Sequence, residues 1–182
     1  MINIDGAWFD RSIRHFTFAG TRDIARMDEL EKLCELSRLR SACFSGTNLD
    51  DAGLACLAKA KSIEDLNLQW TEISDQGLAH LAALPRLTSL RLKENDQLTN
   101  DCIVHLLKLN NLVDLQIHGT SIDQSGLDRL APMTQLEHIC ITLDGDNFSR
   151  PALLALSRQM PWCSILVKGN GEFCDGSFNG KW

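Results

Sequence analysis

Asp114, His118, His138 and Cys140 are the residues best placed by type to do chemistry. Cysteine, histidine and aspartate together supply a thiol nucleophile, its base and an orienting carboxylate. The same types are also zinc ligands. Both chemistries set conditions. Thiol catalysis needs a pocket and an oxyanion donor, and zinc needs ligands that converge on one point. Asp144-Gly145-Asp146-Asn147 has the composition of a cation loop, but it lacks the alternating ligands and terminal glutamate of an EF-hand. It reads as a turn. No P-loop, GxGxxG, GxSxG or HExxH string occurs. Whether the four residues meet depends on the elements that carry them.

Those elements repeat. Ile63, Leu66, Leu68, Thr71, Ile73, Gly77, Leu78, Leu81 and Leu84 define a set of offsets. The same offsets from Leu39 give Leu39, Ala42, Phe44, Thr47, Leu49, Gly53, Leu54, Leu57 and Ala60. From Leu112 they give Leu112, Leu115, Ile117, Thr120, Ile122, Gly126, Leu127, Leu130 and Met133. Leu87, Leu90, Leu92, Asn95, Leu98, Ile103, Leu106 and Leu109 form a copy one residue longer, with Cys102 at the glycine position. The period is 24 residues, with one copy of 25. Weaker copies flank these four. Ile13, Phe16, Phe18 and Thr21 fit the strand half upstream, with Leu30, Leu33 and Leu36 in the helix half. Leu136, Ile139 and Ile141 fit downstream, followed by the apolar run 151–156 and a last degraded strand at Cys163, Leu166 and Lys168.

This pattern resembles the leucine-rich repeat family, whose signature is LxxLxLxxN/T. It is most similar to the bacterial variety that ends each repeat in T-x-I-[ST]-D-x-G-L, best seen in TEISDQGLAHLAAL at 71–84. The resemblance covers about residues 13–168. It implies an α/β fold: a short right-handed horseshoe of about six repeats, with a parallel β-sheet on the concave face and helices on the convex face. Residues 1–12 read as an N-terminal cap in which Trp8 and Phe9 shield the first repeat. Residues 169–182 read as a flexible tail or as a hairpin covering the last strand, since Gly169-Asn170-Gly171 is turn chemistry.

The residues themselves explain the pattern. L-x-L alternation puts leucines on one strand face. G-L-x-x-L-x-x-L puts them on one helical stripe. A single copy cannot bury both, so neighbouring copies must stack. Asp50, Ser74, Thr99 and Asp123 precede the helical halves and are good N-caps. Thr47, Thr71 and Thr120 share a position from which their hydroxyls are expected to bond buried backbone. His80 and His105 fall at equivalent positions and are expected to face solvent.

Stacking also orders the outward-facing residues into rows. The first is His15, Ser41, Asp65, Ser89, Asp114 and His138; the second is Thr17, Cys43, Asn67, Arg91, Gln116 and Cys140. The third is Ala19, Ser45, Gln69, Lys93, His118 and Thr142, and the next position holds Gly20, Gly46, Trp70, Glu94, Gly119 and Leu143. Trp70 replaces a glycine of its neighbours. Arg91 and Lys93 form a small basic centre between Asp65, Glu94 and Asp114. Tryptophan and arginine are the usual interface anchors. Trp70, Arg91 and Lys93 are therefore expected to anchor a partner, and Asp65, Asp114, Gln116 and His118 to set specificity. Asn67, Gln69, Ser89, Glu94, His138 and Cys140 complete the partner-binding set.

Composition limits the function. With 18 basic and 24 acidic residues the net charge is −6, which opposes a nucleic-acid surface. No apolar run is long enough to cross a membrane. Seven cysteines, an odd number with none at CxxC spacing, do not make a disulfide framework or zinc ribbon. Together with an N-terminus unlike a secretory signal, they point to a cytoplasmic protein. The expectation is a non-enzymatic protein-binding module with no cofactor or metal, whose partner is a protein. It would act by occupancy as an inhibitor or adaptor, for example an immunity-type protein neutralising a toxin. The alternatives are a host-directed bacterial effector or scaffold, and a cysteine-dependent enzyme using Cys140 with His138 or His118. A homodimer would look the same in the sequence.

Overall fold

A computed structural model describes residues 1–18 and 23–182. Ala19, Gly20 and Thr21, assigned above to the first copy of the pattern, lie outside the described residues. Two short strands, β1 (Ile2–Ile4) and β2 (Ala7–Phe9), pair antiparallel. The main sheet begins with β3 (His15–Thr17), β4 (Ser41–Cys43), β5 (Asp65–Asn67) and β6 (Ser89–Arg91). It continues with β7 (Asp114–Gln116), β8 (His138–Ile141) and β9 (Ser164–Val167). Strands β3 to β9 are parallel, each paired with the next in sequence, and β10 (Gly171–Cys174) and β11 (Ser177–Gly180) extend the sheet antiparallel.

The helical halves are short. Four form α-helix: α1 (Asp51–Leu57), α2 (Ile103–Leu106), α3 (Gln124–Asp128) and α4 (Arg150–Gln159). Met27–Glu35 and Gly77–Ala83 are 310 instead. A 310 turn rises about 2.0 Å per residue against 1.5 Å for α, so it crosses the back of a repeat with few residues. The leucine ladder fills the space between. Leu66, Leu68, Leu90, Leu92 and Leu115 are fully buried, as are Leu54, Leu81, Leu106 and Leu127 or very nearly so.

The turns between strand and helix are knitted from repeat to repeat. The Thr47 hydroxyl donates to the Phe44 carbonyl at 2.7 Å, Thr71 to Leu68 at 3.0 Å and Thr120 to Ile117 at 2.7 Å. Asn95 takes this position in the long repeat. Its amide donates to Leu92 O and, across the repeat boundary, to Leu68 O, while its Oδ1 accepts from Thr71 N. A second file runs beside it. Asp51 accepts from the backbone N and the hydroxyl of Ser74 in the next repeat, at 2.8 and 2.6 Å. Asp75 does the same to Thr99, and Asn100 clasps Asp123. The caps work as the sequence implies: Asp50 accepts from Gly53 N, Thr99 from Asp101 N, and Asp123 from Ser125 N and Gly126 N. Ser74 accepts from Gly77 N at 3.3 Å. The repeated glycine now has a cause. A Cβ on Gly77 would lie 1.9 Å from Asp51 Oδ1, and one on Gly126 2.0 Å from Asn100 Oδ1.

The chain ends carry hairpins. Asp5-Gly6 and Asp175-Gly176 both have positive φ at two successive residues, the Asp-Gly hairpin turn. At the first, Asp5 Oδ1 accepts from Ala25 N and Arg26 N, and Phe9 packs on Phe16 at 4.8 Å. Trp8 does not shield the repeat as expected. It is exposed, because adjacent strand residues point to opposite faces. At the other end Phe173 is buried against Phe178 at 4.5 Å and Trp182 at 5.7 Å.

Two further expectations are corrected. Ile165 and Val167, rather than Leu166 and Lys168, face the core of β9, and Leu166 is 45% exposed. The repeat pattern sets Leu166 opposite Ile139, a spacing of 27, but Ile139 pairs with Ile165, a spacing of 26, and that one-residue slip turns every side chain of the strand over. His105 is buried, 8% exposed, with no hydrogen-bond partner for either ring nitrogen among the described residues, whereas His80 is exposed. His80 sits on a 310 segment and His105 on α2. Three against 3.6 residues per turn aims the two rings differently.

Denaturant unfolding tests which interaction dominates. Leu66→Ala is expected to cost about 2–5 kcal/mol through lost burial and cavity. Asp51→Ala should cost about 1–3 kcal/mol by leaving the Ser74 donors unpaired.

Candidate binding face

The strand register sets the outward rows as the sequence orders them. His15, Ser41, Asp65, Ser89, Asp114 and His138 are successive partners, and so are Thr17, Cys43, Asn67, Arg91, Gln116 and Cys140. Most are half-buried, covered at the sides by their neighbours. Several are bonded to one another. Arg91 grips Asp65 on the adjacent strand with both arms, Nη1 to Oδ1 at 2.7 Å and Nη2 to Oδ2 at 3.2 Å. Ser89 donates to Asp114 at 3.1 Å, and the Gln116 amide to the same carboxylate at 3.4 Å. Asn67 Oδ1 accepts from Gln69 N at 3.0 Å. The basic centre read from the sequence is thus partly neutralised internally. Lys93 is left as its cation with no ion pair among the described residues.

The four chemistry-bearing residues are not assembled into a site. His138 is exposed, but His118 is 5% exposed and its Nδ1 has no partner among the described residues. His118 therefore does not stand open on the face as expected. It lies beyond the end of β7, where the chain turns into the Gly119-Thr120 loop and buries the ring. Burial, then Lys168 and Lys93, hold its pKa below the usual histidine value. Burial pushes the Cys140 thiol up, with Asp114 adding to the rise and Lys168 and Lys93 opposing it. A catalytic thiol needs the opposite shift. Cys102 and Cys163 are buried further still, each pushed up to about 12 chiefly by desolvation. No group of three or more His, Cys, Asp and Glu side chains among the described residues is arranged to hold a metal. Asp144–Asn147 is a turn, closed by Asp144 N donating to Asn147 Oδ1 at 3.0 Å.

The next file over is different. Parallel pairing continues past the strands: Gly46 N donates to Gln69 O, Trp70 N to Lys93 O and Glu94 N to His118 O. Gly46, Trp70, Glu94 and Gly119 therefore stand side by side. All four have left-handed backbone, with φ of 72°, 52°, 58° and 74°. Glycine takes that conformation freely. A bulky side chain does so at a cost of order 1–2 kcal/mol. Trp70 is also 72% exposed, so its ring recovers little by burial. Its position serves neither the backbone nor the core, and such outliers concentrate at functional sites.

A cleft of about 580 Å³ opens beside it, lined by Trp70, Thr71, Glu94, Asp96, Gln97 and Gly119. Asp96 and Gln97 were not among the residues singled out by sequence. They fill the place held by one residue in the other copies: Asn48, Glu72 and Ser121. The signal was present as the one-residue lengthening of this repeat. Gln97 fixes the loop by donating its amide to Thr71 O at 3.0 Å and Ile73 O at 2.8 Å.

No protein-family model and no curated protein matches the chain. Solved structures do. An internalin C2 from Listeria monocytogenes matches with a TM-score of 0.54 at 22% identity, over 84% of this chain and 70% of that one. A second internalin from the same organism, inlF, gives 0.45 at 14% identity, over 85% and 61%. A leucine-rich repeat protein from Leptospira interrogans gives 0.46 at 13% identity, over 74% and 38%. The chain thus spans less than two thirds of the latter two. The internalin C2 likeness, with the seven-strand parallel register, shows the leucine-rich repeat fold.

Two measurements follow. Trp70→Gly should raise stability by about 1 kcal/mol through relief of the left-handed strain, seen as a thermal midpoint higher by about 2–4 °C for a chain this size. Iodoacetamide labelling followed by mass spectrometry at neutral pH should modify exposed Cys34 and Cys174 well before Cys140. Fastest reaction at Cys140 would restore the enzymatic reading.

Proposed function

We propose that this leucine-rich repeat chain is a protein-binding module that engages its partner through the outer face of the parallel sheet. One observation carries the proposal. Trp70 is kept exposed, on that face's rim, in the left-handed backbone conformation that Gly46 and Gly119 take in other repeats. An exposed sheet on a rigid solenoid is a common binding surface. The bonded pairs Arg91–Asp65 and Ser89–Asp114 favour docking with little rearrangement. The proposed contact residues are Asp65, Asn67, Gln69, Trp70, Ser89, Arg91, Lys93, Glu94, Asp114, Gln116, His138 and Cys140, with His118 lying beneath them as a support. A repeat surface of this kind acts by occupancy. Inhibition or adaptor bridging of a cytoplasmic protein is the proposed role, with the immunity-type inhibitor as its most specific form.

Affinity capture from lysate, with wild type beside Trp70→Ala and Trp70→Ala/Arg91→Ala/Lys93→Ala, tests this. The expected result is a protein held by wild type and lost from the triple variant while circular dichroism shows both folded. Trp70→Ala alone should weaken the purified complex by about 2 kcal/mol or more. Equal retention by all three would move the site to the helical side or to the C-terminal hairpin.

A further inference from the structure

We infer that the cleft beside Trp70 is a receptor for an arginine side chain of the partner. The inference rests on the sheet-face reading and names the chemistry that this face recognises. The cleft's walls are an exposed indole, two carboxylates and polar backbone, and no basic side chain lines it. Glu94 and Asp96 make no ion pair among the described residues, and neither carboxylate has a hydrogen-bond donor among them. This sets them apart from Asp65 and Asp114, which are both engaged by neighbours. Lys93, the adjacent cation in the chain, does not line the cleft.

The file of left-handed residues builds the shape. Trp70 and Glu94 are neighbours held one ladder step apart, with Gly46 on one side and Gly119 on the other. Glu94 leans across Gly119, where a Cβ would come within 2.7 Å of Glu94 Oε2. Gln97 has both carbonyl bonds on its amide nitrogen, which leaves its side-chain oxygen as a further acceptor. An exposed indole, two unpaired carboxylates and an amide side chain lining one cleft fit a guanidinium. The planar cation stacks on the indole, and its fork of donors meets the carboxylates. A compact, more strongly hydrated ammonium uses the same charges but not the stacking plane. An acidic or phosphorylated ligand is repelled.

NMR titration of the full chain with capped tri-arginine, tri-lysine and tri-glutamate peptides tests this, read at the Trp70 indole N–H and the amides of 94–97 and 119. Tri-arginine should shift these signals saturably, at least fivefold more tightly than tri-lysine, and less tightly as salt is raised. Tri-glutamate should leave them in place. Glu94→Gln/Asp96→Asn, which keeps shape and backbone conformation, should weaken tri-arginine at least tenfold while the rest of the spectrum is unchanged. Unmoved cleft signals, or equal tri-arginine binding by the double variant, would overturn the inference; tri-lysine binding as tight as tri-arginine would overturn the choice of guanidinium. Partner capture separates the two proposals. If Trp70→Ala loses the partner and Glu94→Gln/Asp96→Asn retains it fully, the arginine receptor falls and the sheet-face reading stands. If tri-arginine seats in the cleft but Trp70→Ala retains the partner, the cation site stands and the sheet-face reading falls.

Discussion

The fold depends on satisfying the backbone of one turn with groups from the next repeat. Each strand ends in a sharp turn whose amides and carbonyls are buried, and buried backbone groups must be paired. Leucine burial supplies most of the driving force, but it is indifferent to where along the stack one repeat sits on another. The polar files settle that. Threonine hydroxyls and Asn95 close the turns from inside. Asp51, Asp75 and Asn100 reach forward and hold the start of the following helical half. Stacking is thereby fixed in register, and the outward rows of the sheet follow from it. At Gly77 and Gly126 the glycine is the trace of this device, since Asp51 and Asn100 occupy the space a Cβ would need there.

Much of this was legible in the sequence because it repeats. Leucine spacing and the cap positions recur in four copies, and the threonine position in three with Asn95 in the fourth, so a single frame explains many residues. What the sequence misplaced lies where the repeat changes length or helix type. The step from β8 to β9 is 26 residues where the repeat pattern takes 27, and that one-residue difference reverses which residues of 164–167 face inward. His105 follows the pattern by position but sits on an α turn where its counterpart sits on a 310 turn. His118 falls in the outward row by counting, yet the chain has left the strand there and the ring is covered. The cleft is illegible in the sequence for a related reason. Asp96 and Gln97 belong to an insertion, and an insertion has no counterpart whose role it can borrow.

Charge on the sheet face is also less simple than residue types suggest. Arg91 in a list looks like an anchor beside Lys93. In place, it is held by two hydrogen bonds to Asp65 across the strand boundary, so much of its charge is spent within the molecule. The pair is half-buried and gives the face a fixed dipolar ridge instead of a free cation. Two unpaired carboxylates lie beyond it, where Glu94 and Asp96 line one cleft with Trp70. The dominant local sign is therefore negative there, in keeping with the net charge of −6.

Stability and the proposed recognition meet at the same four-residue file. Gly46 and Gly119 fill the left-handed position at no steric cost, and Trp70 and Glu94 fill it at a cost that neither core packing nor hydrogen bonding of their side chains offsets. Their backbone amides are nonetheless paired to the next repeat just as the glycines' are, so the strained conformation is imposed by the stack and is not a local relaxation. This is the advantage of a solenoid for holding such residues. Neighbouring repeats over-determine the turn, and one or two strained side chains can be carried without loosening it. The same rigidity would limit the entropy lost on the proposed docking, because the backbone that carries the indole and the carboxylates is tied to the neighbouring repeats. A flexible loop with the same residues would present the same chemistry with more freedom to lose. On the proposed reading, binding would draw on a part of the turn that the polar ladder holds in place.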